Sequence, residues 1–286
     1  MPESALPGPV RPGVDCAIAD RALAAIEREA RRWPDRETGG ILVGLRRSQG
    51  IVVTHATGPG PRAMHSPLAF AKDTPYLQRV LDYLFGCFRV NYLGVWHQHP
   101  PDMPYPSAGD LRSAWQDIAD PQVPGDDLLI PICVQRSGTV EIVPFLAQRE
   151  GCAKVEWQVV PFSGLLMGQW HESPLGKERL AGEITGLRTE GAEVEVKRSG
   201  DGSYSFHVSP SQARARKQHQ TLVFGCAQDY PVSPPEVAVY DSAAAAFSPV
   251  SLPGLESWVL DSTMSSLYRH WVVRFDPQID KARGPE

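Results

Sequence analysis

Tyr92-Leu93-Gly94-Val95-Trp96-His97-Gln98-His99-Pro100 decides the reading of this chain. A short apolar run leads straight into two histidines spaced by one residue. If the strand continues through them, both imidazoles lie on one face, because side chains alternate along a strand. After seven intervening residues come Ser107 and Asp110. The spacing of Leu111, Ala114, Trp115 and Ile118 predicts a helix over 107–118. Two imidazoles and a carboxylate, at a strand end and in a first helical turn, suit a zinc ion whose fourth position is open to water. That is the composition of a hydrolytic site. At ordinary residue frequencies the frame arises by chance in roughly one chain of this length per thousand, so it is treated as signal.

A simpler reading exists for part of the frame. Ser107 followed three positions later by an acidic residue is also a capping-box-like helix start, which needs no metal. A cap accounts for neither histidine. Zinc hydrolysis further needs a group that takes the proton from the bound water, and Glu37 is the candidate. It follows a helix predicted from Asp20 as N-cap, with Leu23, Ile26, Ala30 and Trp33 on one face. It precedes Gly39-Gly40-Ile41-Leu42-Val43-Gly44, an apolar run bounded by glycines that reads as a buried strand.

Glu37-Thr38-Gly39-Gly40 ahead of that strand, Trp96-His97-Gln98-His99-Pro100, and Pro106-Ser107-Ala108-Gly109-Asp110 together resemble the JAMM motif of the JAB/MPN metalloprotease family. The resemblance covers about residues 10 to 160, including Phe70 and Asp73. It implies that His97, His99 and Asp110 bind one zinc ion (Zn2+) per chain. It also implies that Glu37 holds and deprotonates the water and that Ser107 stabilises the oxyanion of the tetrahedral intermediate. Every motif position is present, so an active member is expected rather than a metal-free scaffold.

Composition fits a soluble enzyme. The 286 residues suit one large or two modest domains, and the net charge of −5 divides as −2 up to residue 160 and −3 beyond it. Without a basic stripe, a nucleic-acid-binding surface is not expected. Cys16, Cys87, Cys133, Cys152 and Cys226 are odd in number and contain no Cys-x-x-Cys pair, which argues against a disulfide framework and against a second, structural zinc. Residues 1–12 have neither a basic nor an apolar leader segment, and no run of 18 apolar residues occurs, so no membrane association and a cytoplasmic, reducing location are expected.

Two units follow along the chain, with no internal repeat. In the first, strands near Leu128–Val134 and Thr139–Phe145 face each other across Arg136-Ser137-Gly138, and Val155–Phe162 reads as one more strand. A softer stretch from Ser163 to Pro174 marks the boundary. The second unit opens with a helix carrying Leu180, Ile184 and Leu187 on one face. Strand-like runs at 192–197, 203–208 and 221–226 come next, with Ser199-Gly200-Asp201-Gly202 as a turn between the first two. Met264, Leu267, Tyr268, Trp271, Val272 and Phe275 close it at helical spacing, most simply a core-packing stripe.

Helix, strand meander, Tyr230-Pro231-Val232-Ser233-Pro234-Pro235-Glu236-Val237 and a later helix resemble the ubiquitin-conjugating enzyme fold and its RWD and ubiquitin-variant relatives, over about residues 174 to 275. An active conjugating enzyme carries its thioester cysteine downstream of the proline loop. No cysteine follows Cys226, so a non-catalytic binding domain is implied. The expected fold class is therefore α/β (α+β). A JAB/MPN-type mixed sheet flanked by helices at residues 10–163 precedes a smaller α+β, ubiquitin-conjugating-enzyme-like domain at 170–280.

The expected function is that of a zinc-dependent isopeptidase or processing peptidase, deubiquitinase-like, cutting after the C-terminal tail of a ubiquitin-like protein. The Ala-, Arg- and Pro-rich composition points to a bacterial source and hence to a bacterial ubiquitin-like conjugation system. Partners would be the ubiquitin-like protein or its conjugates, with cognate activating and conjugating enzymes as further candidates. Two other classes stay open: a non-catalytic adaptor with an occluded metal site, and a DNA-repair-associated JAB-like protein. The acidic charge and the second half of the chain disfavour the latter.

Overall fold

The structure is a computed structural model; it describes residues 14–275 apart from 49, 68, 150, 166–167, 201–202 and 212–219. Residues 10–13 and 276–280 of the two expected domains, and half of the Ser199–Gly202 turn, lie outside the described residues, as does the side chain of Phe275. The chain divides into two compact units. Among the described residues, one is built by those from 14 to 165 and the other by those from 168 to 275, with 86–88 grouped with the second. The fold is mixed α/β, a curled mixed sheet with helices followed by a further α+β region.

In the first unit, β1 (Asp15–Ala19) runs into α1 (Asp20–Arg32), and β2 (Gly39–Arg47) and β3 (Gly50–Ala56) form an antiparallel pair. A two-stranded ribbon, β4 (Met64–His65) with β5 (Phe70–Ala71), precedes α2 (Thr74–Phe88), β6 (Asn91–His99) and α3 (Ala108–Ala119). Six short strands follow: β7 (Asp127–Leu129), β8 (Ile132–Arg136), β9 (Thr139–Val143), β10 (Phe145–Gln148), β11 (Gly151–Lys154) and β12 (Trp157–Val160). The main path of the ten-stranded sheet is β11-β10-β7-β6-β2-β3-β1-β12, with β8 and β9 branching from the C-terminal half of β6.

Local chemistry explains most boundaries. Asp73 caps α2 by accepting from Tyr76 N at 3.3 Å, Pro75 stands in its first turn, and Arg89 ends it in the left-handed region. Asp20 is not the cap of α1. Ala19 occupies that position without a side-chain bond, and the Asp20 carboxylate instead accepts from Arg21 N (2.7 Å) and from Phe162 N (3.0 Å), tying the helix start to the end of the unit.

The expected hairpin differs in a similar way. Ser137 (φ 51°) and Gly138 (φ 79°) turn it, the conformation favoured in two-residue hairpin loops, with Arg136 opposite Thr139. Each arm, however, is broken at a proline, Pro131 between β7 and β8 and Pro144 between β9 and β10, because proline has no N–H to offer a ladder. Both halves reach β6 at different points and take different second neighbours: β8 joins β9 and the histidine end of β6, whereas β7 joins β10 and β6 at Gly94. Val155–Phe162 contributes the shorter β12, which lies parallel to β1 at the sheet edge.

The core under the sheet centres on fully buried Ile18, Ile26, Leu42, Val53, Leu93 and Trp96. Burying such side chains contributes about 1.5–3 kcal/mol each, which outweighs the weak α1 start. Trp96 also donates from Nε1 to the Thr57 carbonyl (2.9 Å), so the residue before His97 is fixed by packing and by a hydrogen bond.

In the second unit, α4 (Pro174–Thr189) is capped by Ser173, which accepts from Gly176 N at 2.9 Å. An antiparallel meander follows: β13 (Ala192–Arg198), β14 (Tyr204–Pro210), β15 (Gln220–Cys226), β16 (Glu236–Asp241) and β17 (Ala246–Pro249), paired in chain order. The last two strands are additions to the sequence reading, which stopped at the proline loop. α5 (Met264–Phe275) buries Met264, Leu267, Tyr268 and Trp271.

Glu183 of α4 is 2 % exposed and holds three partners: Tyr230 Oη donates to it (2.5 Å), Met264 N donates to it (2.8 Å), and the Arg179 guanidinium lies 2.6 Å away. One buried carboxylate thus joins α4, the proline loop and the start of α5. Cys226, at the end of β15, is buried and its thiol is pushed far up by burial.

Candidate metal centre

β6 continues through both histidines, so His97 and His99 share a face as the alternation requires. Across the ladder His97 stands opposite Gly39 of β2, and on its other side His97 and His99 pair with Ile132 and Val134 of β8. This placement in the interior of the sheet leaves the imidazoles little freedom. Phe70 adds an edge-on contact to the His97 ring at a centroid distance of 5.8 Å.

Asp110 comes to the same place from the first turn of α3. Its Oδ1 lies 2.6 Å from His97 Nδ1 and its Oδ2 3.2 Å from His99 Nε2. The capping box is also present: Ser107 Oγ accepts from Asp110 N (3.2 Å), while Asp110 Oδ2 accepts from Ser107 N (2.7 Å) and Ser107 Oγ (2.6 Å). The helix cap is therefore present, and it uses the same Asp110 carboxylate that faces both histidines. The cap orients the carboxylate, and the histidines face its open side.

Burial, which would raise the Asp110 pKa, is outweighed by hydrogen bonds from His97, His99 and Ser107, so the carboxyl is held far below the usual carboxylate range. Burial pulls the His99 pKa down, but the hydrogen bond and charge of Asp110, with a smaller contribution from Glu37, leave it raised overall. Among the described residues, His97, His99 and Asp110 form a group whose ligand atoms all lie within 4.8 Å of one another. Atoms at zinc-ligand distance in a tetrahedral site are ~3.4 Å apart, so modest side-chain adjustment suffices. Two nitrogens and one carboxylate oxygen are also a donor set that zinc accepts, and they fit it.

The sequence left the outer support of the histidines unidentified. His99 Nδ1 lies 3.1 Å from the Tyr105 carbonyl oxygen and 3.3 Å from that of Met103. Carbonyls only accept, so Nδ1 carries a proton, and Nε2, which here faces Asp110 Oδ2, is the nitrogen that would offer a lone pair to a metal once deprotonated, the orienting arrangement found around metal-bound histidines.

Glu37 occupies the loop between α1 and β2 and is half-buried. Its backbone is held from both sides by the ribbon segment: Glu37 N donates to Ser66 O (2.9 Å), and His65 Nδ1 lies 3.0 Å from Glu37 O. His65 is itself stacked on Trp33 with centroids 3.9 Å apart. Burial raises the Glu37 pKa, the imidazoles of His99 and His97 lower it, and Asp110 raises it again; the sum is a carboxyl above its ordinary value. A carboxylate shifted in that direction is a better proton acceptor.

Sequence reasoning missed one contributor, Gln98, and the packing role of another, Gly39, which it placed only in the motif and as room for a substrate tail. Gly39 packs its backbone against the His97 ring, and Gln98, buried between the two histidines, faces the opposite side of the sheet. The available signal for Gln98 was its position: a polar residue inside an apolar strand has to be satisfied by something.

Residues 19–142 match the family model described as prokaryotic homologs of the JAB domain. Among curated relatives, a CD-NTase/cGAS isopeptidase of Escherichia coli is 37% identical over 83 residues, 28% of this chain and 53% of that protein. A probable metalloprotease of Sinorhizobium fredii is 31% identical over 86 residues, 29% of this chain and 52% of its own length. A CD-NTase/cGAS isopeptidase of Pseudomonas aeruginosa is 28% identical over 127 residues, 43% of this chain and 78% of that protein. The chain spans about half the length of the first curated relatives it matches.

Proposed function

We propose that this chain is a zinc-dependent metallopeptidase of the JAMM type that cleaves an isopeptide or precursor bond after the C-terminal tail of a ubiquitin-like protein. The observation that carries this reading is the convergence of His97, His99 and Asp110 at the end of β6, beside Glu37, within the segment that matches the JAB model. Relatives named as isopeptidases and as a probable metalloprotease support the reaction class.

In this reading His97, His99 and Asp110 hold the zinc, which when bound polarises the scissile carbonyl and lowers the pKa of water toward about 7. Glu37 accepts the proton of the attacking water and returns it to the leaving amine. Ser107 supplies a hydrogen bond to the oxyanion, using the Oγ proton that here rests on Asp110 Oδ2.

The second domain, residues 170–280, which follows the metallopeptidase domain of residues 10–163 in the sequence, serves as a non-catalytic holder for the ubiquitin-like protein. Its order of α4, meander, Tyr230–Pro235 loop and α5 supports that role, and burial of the Cys226 thiol argues against a thioester. Holding the modifier on the same chain raises its effective concentration at the cleavage site. The deciding experiment incubates the full chain with ubiquitin-like fusions and conjugates, with and without a chelator. Chelator-sensitive release of the free modifier is expected, and no release from any of them would refute the reading.

A further inference from the structure

We infer that Gln98 is a positioning residue for Glu37, fixing the proton acceptor from the strand that carries the histidines. The inference rests on the reading of Glu37 given above. Gln98 is 3 % exposed and lies between His97 and His99, so its side chain leaves β6 on the face opposite both imidazoles. There its Nε2 donates to the carbonyls of Trp33 and Arg36 (3.0 Å for the latter). Its Oε1 accepts from Gln135 Nε2 (3.2 Å), and that same nitrogen donates to Ala30 O (2.5 Å) in the last turn of α1. The backbone N–H of Gln98 donates to Thr38 O at 2.8 Å.

One residue therefore grips the chain on both sides of Glu37, through its side chain at Arg36 and through its backbone at Thr38. The loop after a helix leaves carbonyls without partners, and a buried carbonyl needs one. A single amide with two N–H groups supplies a partner to Arg36 O and a second donor to Trp33 O, which also accepts from Arg36 N at 3.3 Å, and its oxygen is engaged in turn by Gln135. The consequence is rigid coupling: the strand that sets the position of His97 and His99 also sets the path of residues 36–38. Glu37 then keeps its place relative to the metal ligands without touching Gln98, and a displacement of about 1 Å at such a group can cost up to ~100-fold in rate.

The test uses the full chain loaded with zinc and compares the parent with Gln98→Met, which keeps the length and loses every side-chain polar contact. Gln135→Met, which removes the bond to Gln98 Oε1 together with the one to Ala30 O but leaves the Gln98 bonds to Trp33 and Arg36, guards against a Gln98→Met protein that does not fold. Gln98→Met is expected to keep the parent zinc content and KM, to lose ~10- to 100-fold in kcat, and to exchange the amides of residues 33–38 faster by hydrogen–deuterium exchange. Gln135→Met should show the same pattern with a smaller loss. Unchanged exchange and kcat in both variants overturn the inference. So does loss of zinc in step with kcat, which would make Gln98 a support for the ligands instead. If the parent cleaves no substrate while exchange at 33–38 still rises, the tether stands and the proposed function fails.

Discussion

Gly39 and His97 sit opposite one another across the ladder of β2 and β6, and a Cβ at position 39 would fall 2.9 Å from Cδ2 of the His97 ring and 3.0 Å from Cε1 of Phe70. It would also run into the Trp96 carbonyl, which is backbone and cannot swing aside. Gly39→Ala should therefore push the strand or the ring. We expect a loss of ~1–3 kcal/mol, the usual range for forced overpacking, together with weaker zinc binding. Thermal melts and metal analysis check it, and an alanine variant that matches the parent in both would show that the ladder yields freely.

Asp110 is the second point of leverage. The purified protein should hold about one zinc per chain, and Asp110→Ala should lose most of it, since two neutral imidazoles alone make a weak site. Ser107→Ala should cost about 1 kcal/mol through loss of the helix cap while keeping the metal. Full zinc occupancy in Asp110→Ala would remove that residue from the ligand set.

Glu37→Gln should retain zinc and fold, because the backbone bonds to Ser66 and His65 do not involve its side chain. Hydrolysis should fall by ~100-fold or more, since an amide can hold a water but cannot take its proton. Equal single-turnover rates for the variant and the parent would assign the base to another group.

The thiols give a pH-dependent prediction. No disulfide forms among the cysteines, and burial pushes Cys16 and Cys152 up to about 11, with Cys133 and Cys226 raised as well. A raised thiol pKa means that reactive thiolate is scarce at pH 8 and grows only as the pH nears 11. A thiol reagent at pH 8 should label about one cysteine quickly, Cys87, the least buried of them, and the others only on unfolding. A ubiquitin-like protein offered with an activating enzyme should likewise form no reducible adduct on Cys226; one abolished by Cys226→Ser would overturn the non-catalytic role of that domain.

Glu183→Ala should destabilise the second unit by ~3–5 kcal/mol, because it removes the carboxylate facing the Arg179 guanidinium along with the acceptor for Tyr230 Oη and Met264 N. Tyr230→Phe removes one of those bonds and should cost about 1 kcal/mol. A urea titration monitored by tryptophan fluorescence distinguishes them; equal midpoints for both variants would mean that the charge pair contributes nothing.

The sequence by itself determined what local patterning can carry. Period-two alternation placed His97 and His99 on one face of β6, apolar spacing located α3 and α4, and the Ser137-Gly138 pair specified a hairpin turn. These depend on neighbours within a few residues, so the chain states them openly. Tertiary structure decided everything that depends on residues far apart in sequence. The prolines at 131 and 144 were legible, but which strand each half would join was not. The pairing of β12 with β1, and the addition of β16 and β17 to the meander, were likewise invisible.

The site divides in the same way. Five residues at telling spacings pointed to a metal and a base, yet their support comes from the carbonyl of Tyr105, the backbone of Gly39 and the amide of Gln98. A carbonyl leaves no mark in the side-chain sequence, and a buried glutamine acquires a partner only when the sheet brings β6 against the end of α1. Spacing along a chain specifies periodicity, whereas which buried polar group meets which carbonyl is settled by packing, where each has to find a hydrogen-bond partner.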